Sequence, residues 1–350
     1  MGRCMDGYRV CFGLTAGVSA RPAGLPGNGD PQPLPVTFIE FQPYPGDQRH
    51  ARLVRQVFEH YAGDTPSRPR LRTIRDDPRD IRSPQAFVAH LGTHGLRLMR
   101  RELEDLMTQA DAPRQVVNAS LSFSRVDIYR ALQERLRHAP DWALQVGGAT
   151  PQAVVRYVNQ TLSDSPDFAE TLASYQRATQ RAGESGMVIV VAAGNANAAD
   201  PDFGFPGAAP GDGFNFLAMS DDVIAVAASE LNDEHWHDDS IAPFSSRGDG
   251  RYNPTLTAPG RGVLIVGENT HHQGTSYAAP IVSATVVQML HKNPARTPAE
   301  IRGILQNTAH NRPDREPGFG PEHEGAGILN RQAALSLAGQ ATGNRLDLVA

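Results

Sequence analysis

Short, mostly apolar runs alternate along the chain with longer segments of helical periodicity, and this alternation narrows the fold more than any other feature. Val36 to Phe41, Val116 to Leu121, Met187 to Ala192 and Val223 to Ala228 are rich in β-branched or aromatic residues and lack a regular polar face, as strands covered on both sides do. Leu71 to Ile74 and Leu264 to Val266 are shorter strand candidates. Between them, Leu53, Val54, Val57, Phe58 and Tyr61, stopped by Gly63, keep a helical period, as do Val88, Leu91, Leu98, Leu103 and Leu106 after Ser83-Pro84. Further helices are expected over Ala173 to Ala182, Ser276 to Leu290 and Pro298 to Thr308. Strands joined by crossover helices predict an α/β fold of three layers, a central mostly parallel sheet flanked by helices, with its site at the carboxyl ends of the strands. Glu40 then stands at the end of the first strand, and His50 opens the first helix after a turn at Pro43 to Gly46.

Residues 1–34 are rich in Gly and Pro, lack periodicity and read as a flexible N-terminal arm. The body spans 35–338, and 339–350 form a C-terminal tail. Within the body, about 123–168 breaks the rhythm with Pro140, Gly147-Gly148 and Pro151, and reads as an insertion.

Charge and cysteine usage exclude several classes. The net charge is -5 with no basic block, which argues against nucleic acid as a partner. No run approaches the roughly 20 apolar residues of a membrane span. Cys4 and Cys11 both lie in the arm, so neither a disulfide nor a thiolate metal cage is expected in the body. Val10 to Val18 has some character of a signal-peptide core, but Asp6 and the interspersed Gly and Thr weaken it. His235-Trp236-His237, with Asp238 and Asp239, lacks ligand spacing and a third ligand, so no metal site is predicted.

The strongest chemical signal is Gly274-Thr275-Ser276-Tyr277-Ala278-Ala279-Pro280 at the start of an apolar helix. A serine there has an unbonded backbone amide and the positive end of the helix dipole beside it, which suits a nucleophile whose reaction develops an oxyanion. The plainer reading of such a serine is a helix cap. Ala192-Ala193-Gly194-Asn195 closes a buried strand, where the plainer reading of Gly-Asn is a turn.

Together these segments resemble the subtilisin-like serine proteases, the subtilases, over roughly Pro35 to Ala334. The resemblance implies Ser276 as nucleophile and Asn195 as a side-chain oxyanion donor. Val223 to Ala228, Ala242 to Gly248, Thr257 to Gly260 and Gly325 to Asn330 are similar to the family's structural segments, in its order. Asn118 to Ser122 is similar to the strand on which subtilases bind extended peptide, so Ser120, Leu121 and Ser122, with Ala193 and Gly194, are the expected substrate-binding residues. The first half of the triad departs from the family's pattern: Glu40 stands where an Asp is usual, and His50 is followed by Ala51-Arg52 instead of Gly-Thr. Order and placement are kept, so the expected catalytic set is Glu40, His50 and Ser276, with Glu40 orienting the imidazole and His50 accepting the serine proton. His90 and His94 fall inside a later helix. His271 and His272 either line the site or are surface residues.

What the resemblance implies is a serine endopeptidase acting on protein or peptide substrates through an acyl-enzyme, without a cofactor. Structural calcium is common in the family, with ligands a sequence does not reveal. Two alternatives remain: a catalytically impaired pseudoprotease that binds peptides, motivated by the altered acid and His motif, and a transpeptidase or macrocyclase, motivated by the insertion. The short arm favours a cytoplasmic over a secreted enzyme. Nothing in the sequence sets the oligomeric state.

Overall fold

The computed structural model describes residues 32–41, 48–74, 81–109, 114–198, 200–230, 240–265, 268, 270–311 and 320–340. The turn at Pro43 to Gly46, the His235 to Asp239 cluster, both cysteines, the Val10 to Val18 run and almost all of the arm and tail lie outside these residues.

Seven strands form one sheet: β1 (Leu34–Phe41), β2 (Ser67–Ile74), β3 (Val116–Ala119), β4 (Val188–Ala192), β5 (Val223–Glu230), β6 (Leu256–Leu264) and β7 (His271–Gln273). The spatial order is β2-β1-β3-β4-β5-β6-β7; all neighbours are parallel except β6 and β7. The expected α/β architecture is observed. Alternation along each strand splits the core in two. Val36 and Phe38 of β1, with Val188, Val190 and Ala192 of β4, face one apolar layer; Ile39, Ile189 and Val191 face the other.

The first layer holds α1 (Arg49–Ala62), α7 (Thr275–Lys292), α8 (Pro298–Thr308) and α10 (Arg331–Ala338); the second holds α2 (Pro84–Met107) and α6 (Pro166–Glu184). Helix α7 is buried on nearly every side, which is why its sequence carries no polar face. The region about 123–168 is more regular than its sequence promised. It folds as α3 (Arg125–His138), α4 (Pro140–Val146) and α5 (Pro151–Ser163), with Ser124 closing a capping box on Asp127 and Thr150 capping α5. These helices brace the following loop: the Tyr129 hydroxyl lies 2.8 Å from both Asn159 Oδ1 and Asp212 Oδ2.

Two readings change. Of the short strand expected at Leu264 to Val266, Leu264 ends β6, which begins at Leu256 and contains Pro259, Ile265 lies beyond it, and Val266 falls outside the described residues. Proline lacks an amide for the ladder, and the register with β5 shifts just after it, between Ser229 and Glu230. Residues 331–338, read only as the end of the domain, form α10.

The chain leaves β1 for β2 on one side and later enters β3 on the other, so the order reverses at β1. The carboxyl ends of β1 and β3 splay there into a crevice. A cleft of about 400 Å³ opens at that point, and its walls include Glu40, His50 and Ser120 to Phe123.

Candidate active site

Glu40 shares a face of β1 with Phe38, whose ring packs edge-on against Phe58 of α1 at 5.3 Å. That alternation points Glu40 at the first turn of α1. His50, the second residue of the helix, meets it there, with Nδ1 2.8 Å from Glu40 Oε2. The longer carboxylate therefore still reaches the imidazole. Glu40 is only 3% exposed, and burial pushes its carboxyl above the usual carboxylate range, opposed by the hydrogen bond and charge of His50. Its Oε1 has no partner among the described residues.

Ser276 is buried at the start of α7. Pro280 lacks the amide that would bond the Ser276 carbonyl in an α-helix, and the Ser120 hydroxyl takes that place, donating at 3.0 Å. Ser120 accepts in turn from Asn118 Nδ2 at 2.8 Å, and Asn118 Oδ1 accepts from Ser283 at 2.9 Å. Asn118 of β3 and Ser120 just after it thus fix the Ser276 backbone through a fully buried polar chain. The Ser276 amide and hydroxyl make no hydrogen bond among the described residues, so both are uncommitted.

The oxyanion side is set by Thr275. Its amide and hydroxyl both donate to Asn195 Oδ1, at 2.8 and 2.9 Å, while its Oγ1 accepts from the Gly194 amide at 3.2 Å. With Oδ1 doubly engaged, the Asn195 Nδ2 hydrogens point away from Thr275. Gly274, at φ 149°, leaves the space they point to open: a Cβ there would stand 2.9 Å from Ser276 Oγ and 3.5 Å from Asn195 Nδ2. A helix-start amide and a side-chain amide beside an uncommitted serine hydroxyl can receive the charge that develops on a carbonyl oxygen under attack.

Glu40, His50, Ser120 to Ser122, Ala193 to Asn195 and Ser276 come to this end of the sheet. Glu40 and His50 touch directly; Ser276 is linked to them through Tyr277, whose ring lies 5.9 Å from that of His50. Ser120 is turned inward to α7, Leu121 is buried, and Ser122 lines the cleft. Ala193 is buried with its amide bonded to Val226 and its carbonyl to the Asn215 amide, and the Gly194 carbonyl accepts from Ser246, so neither residue has a main-chain group to spare. His90 and His94 stack on each other inside α2, away from the pair. His271 is exposed as a surface residue, whereas His272 packs on Tyr277 at 5.4 Å between ring centroids. Thr275, Tyr277, Asn118 and Ser283 were not singled out individually; their roles appear only when α7 is laid across β3.

Among the described residues no cluster of three His, Cys, Asp or Glu is placed to hold a metal, and no helix is long and apolar enough to cross a membrane.

The chain has recognisable relatives among known proteins. The chain is 30% identical over 180 residues to serine protease AprX of Bacillus subtilis strain 168, covering 45% of this chain and 37% of that one. It is 34% identical over 174 residues to fervidolysin of Fervidobacterium pennivorans, covering 43% and 22%. The match therefore spans well under two thirds of either relative. Among solved structures, the patellamide maturation protease PatA superposes over 88% of this chain and 97% of its own with a TM-score of 0.50 at 17% identity, a likeness of fold. A family model described as the subtilase family matches residues 96–324, which include the oxyanion loop, Ser276 and the strand leading to Ser120. By its fold, the order of its site segments and this match, the chain belongs to the subtilase family.

Proposed function

We propose that the protein is a serine endopeptidase that cleaves protein or peptide chains through an acyl-enzyme on Ser276. The observation that carries this reading is the locking of Asn195 Oδ1 by Thr275, which aims the side-chain amide at the space beside the Ser276 hydroxyl. A helix cap has no use for that donor.

In the proposed reaction the peptide lies along Ser120 to Ser122, with its carbonyl carbon against Ser276 Oγ. His50 takes the hydroxyl proton as Oγ attacks, and Glu40 holds the imidazole and the charge it acquires. The carbonyl oxygen becomes an oxyanion held by Asn195 Nδ2 and the Ser276 amide. Collapse breaks the C–N bond, and His50 returns the proton to the leaving amine. Water then attacks the ester by the same route and frees Ser276. His50 and Ser276 draw together when substrate closes the site, as catalytic hydrogen bonds commonly tighten in the complex.

The test is incubation of the purified chain with unfolded protein and a mixed peptide pool, with products read by mass. New termini that add one water per cut, absent with Ser276→Ala, support hydrolysis. Joined or cyclised products would make the acyl acceptor an amine and the protein a transpeptidase. No product from a folded sample would leave the peptide-binding reading.

A further inference from the structure

We infer that Asn215 is a positioning residue for peptide substrate: it clamps one edge of the segment Leu121 to Phe123, just beyond the end of β3, so that the other edge is presented for pairing. The inference rests on the proteolytic reading above and adds a residue to it. Asn215 is completely buried, and all the hydrogen-bonding capacity of its side chain is used. Its Nδ2 donates to the Leu121 carbonyl at 2.8 Å and to the Ala192 carbonyl at 2.7 Å. Its Oδ1 accepts from the Phe123 and Leu217 amides, both at 3.1 Å. The main chain adds two bonds in the same sense, Asn215 amide to Ala193 carbonyl at 3.0 Å and Phe216 amide to Phe123 carbonyl at 2.8 Å.

In an extended strand the amide and carbonyl of one residue point to the same side, and those of the next residue to the other. The Leu121 carbonyl and both main-chain groups of Phe123 are turned in this way to Asn215 and Phe216. The amide and carbonyl of Ser122 must turn the opposite way, into the cleft, and neither has a partner among the described residues. A side chain thus does the work of a neighbouring strand on the inner edge and leaves the outer edge for an incoming peptide.

The same residue also holds the loop after β4. Through Ala192 and Ala193 it grips the end of β4 just before Gly194 and Asn195. The loop and the segment Leu121 to Phe123 lie close, since a Cβ on Gly194 would stand 3.2 Å from Ser122 Oγ. Asn215 therefore sets the spacing between the peptide-binding strand and the oxyanion loop. Its own segment is held in place by Asp212, whose Oδ2 accepts from the Ala209 amide at 2.8 Å and meets Tyr129 of α3. Through these contacts the inserted helices reach the substrate strand without touching the reacting atoms.

The experiment compares a single-residue ester with a tetrapeptide ester of the same leaving group. Asn215→Ala should lose on the order of 10- to 100-fold in kcat/KM on the tetrapeptide, mostly in KM, and only a few-fold on the short ester, because only the longer substrate uses the strand edge. Asn215→Asp, which keeps both acceptor bonds, should fall between. Equal losses on both substrates, or none, would overturn the inference. If the variants do not fold, backbone amide exchange of the wild type decides it. The Phe123 and Leu217 amides should be protected in the free protein, and the Ser122 amide should exchange quickly until a tetrapeptide acid is added. Equal exchange at Phe123 and Ser122 in the free protein would refute the clamp. A wild type that cleaves neither ester removes the proteolytic reading, while the exchange of Ser122 with and without the tetrapeptide acid still reports whether peptide lies there.

Discussion

The two halves of the site are built to different tolerances. Around the nucleophile, Thr275, Asn195, Ser120, Asn118 and Ser283 hold one another through hydrogen bonds that tie α7 to β3 and to the loop after β4, and all but Asn195 are buried. Around the proposed proton carrier, His50 Nδ1 meets Glu40 Oε2 at 2.8 Å and its ring lies 5.9 Å from that of Tyr277, but the His50 side chain is 46% exposed, and the second oxygen of Glu40 is unpartnered among the described residues. The difference follows the chemistry. Donors that receive a developing charge act best when they need not reorganise, whereas a general base can tighten on substrate. It also follows the sequence: the tightly held half keeps its family's motifs, and the looser half is where Glu replaces Asp.

The comparison can be broken most severely at the nucleophile. Ser276→Ala should abolish covalent labelling and peptide cleavage, since the neighbouring Thr275 hydroxyl is already committed to Asn195 Oδ1 and the Gly194 amide; residual labelling would put the nucleophile elsewhere. Glu40→Ala comes next. For the equivalent acid of subtilisin itself the loss is about 10⁴-fold in kcat, and a fall of comparable size here would show that the 2.8 Å contact is productive. A loss below about tenfold would mean that the loose half works without its acid. Asn195→Ala should cost about 10²- to 10³-fold in kcat, the range known for a single oxyanion donor in subtilisin, with KM little changed.

A finer test separates stability from activity. Burial raises the Glu40 carboxyl in the folded protein, so the folded state holds this proton more tightly than the unfolded chain does. Its contribution to stability is then fully present below the unfolded pKa and is lost as pH rises through the raised folded value. Glu40→Gln should therefore match the wild type in acid and exceed it in thermal stability at neutral pH, while losing activity. Equal unfolding temperatures at both pH values would show that Glu40 is stabilised by more than His50. The smallest effect is expected at Glu268, which bonds Arg49 at 2.9 Å and Arg52 at 3.3 Å on either side of His50. Both arginines are largely exposed, so Glu268→Gln should cost below about 1 kcal/mol in denaturant unfolding, and less still at high salt.

Much of this was legible in the sequence because it is carried by local pattern. Apolar runs and helical periods gave the layers, and Gly274 to Pro280 gave the start of helix α7 with Ser276 on it. Glu40 and His50 were found by element, one at a strand end and one at a helix start, although their spacing alone does not show that a Glu reaches the ring. What stayed hidden depends on contacts far apart in sequence. The reason for Ser120 emerges only with Pro280, which removes the amide that would otherwise satisfy Ser276. Asn215 sits in a Gly-Phe-Asn-Phe stretch with no motif, and its value lies in carbonyls and amides near 121 and 192. Strand β6 was misread because Pro259, Gly260 and Gly262 are poor strand formers and only its neighbours on both sides hold it extended.

The most direct measurement is intact-mass detection of a fluorophosphonate adduct on the wild type beside Ser276→Ala, His50→Ala and Glu40→Ala. A single adduct on the wild type, absent from the Ser276 and His50 variants and formed far more slowly in Glu40→Ala, is the predicted result. A folded wild type that takes up no adduct would contradict the account and leave a subtilase fold whose oxyanion site is formed but whose triad does not act.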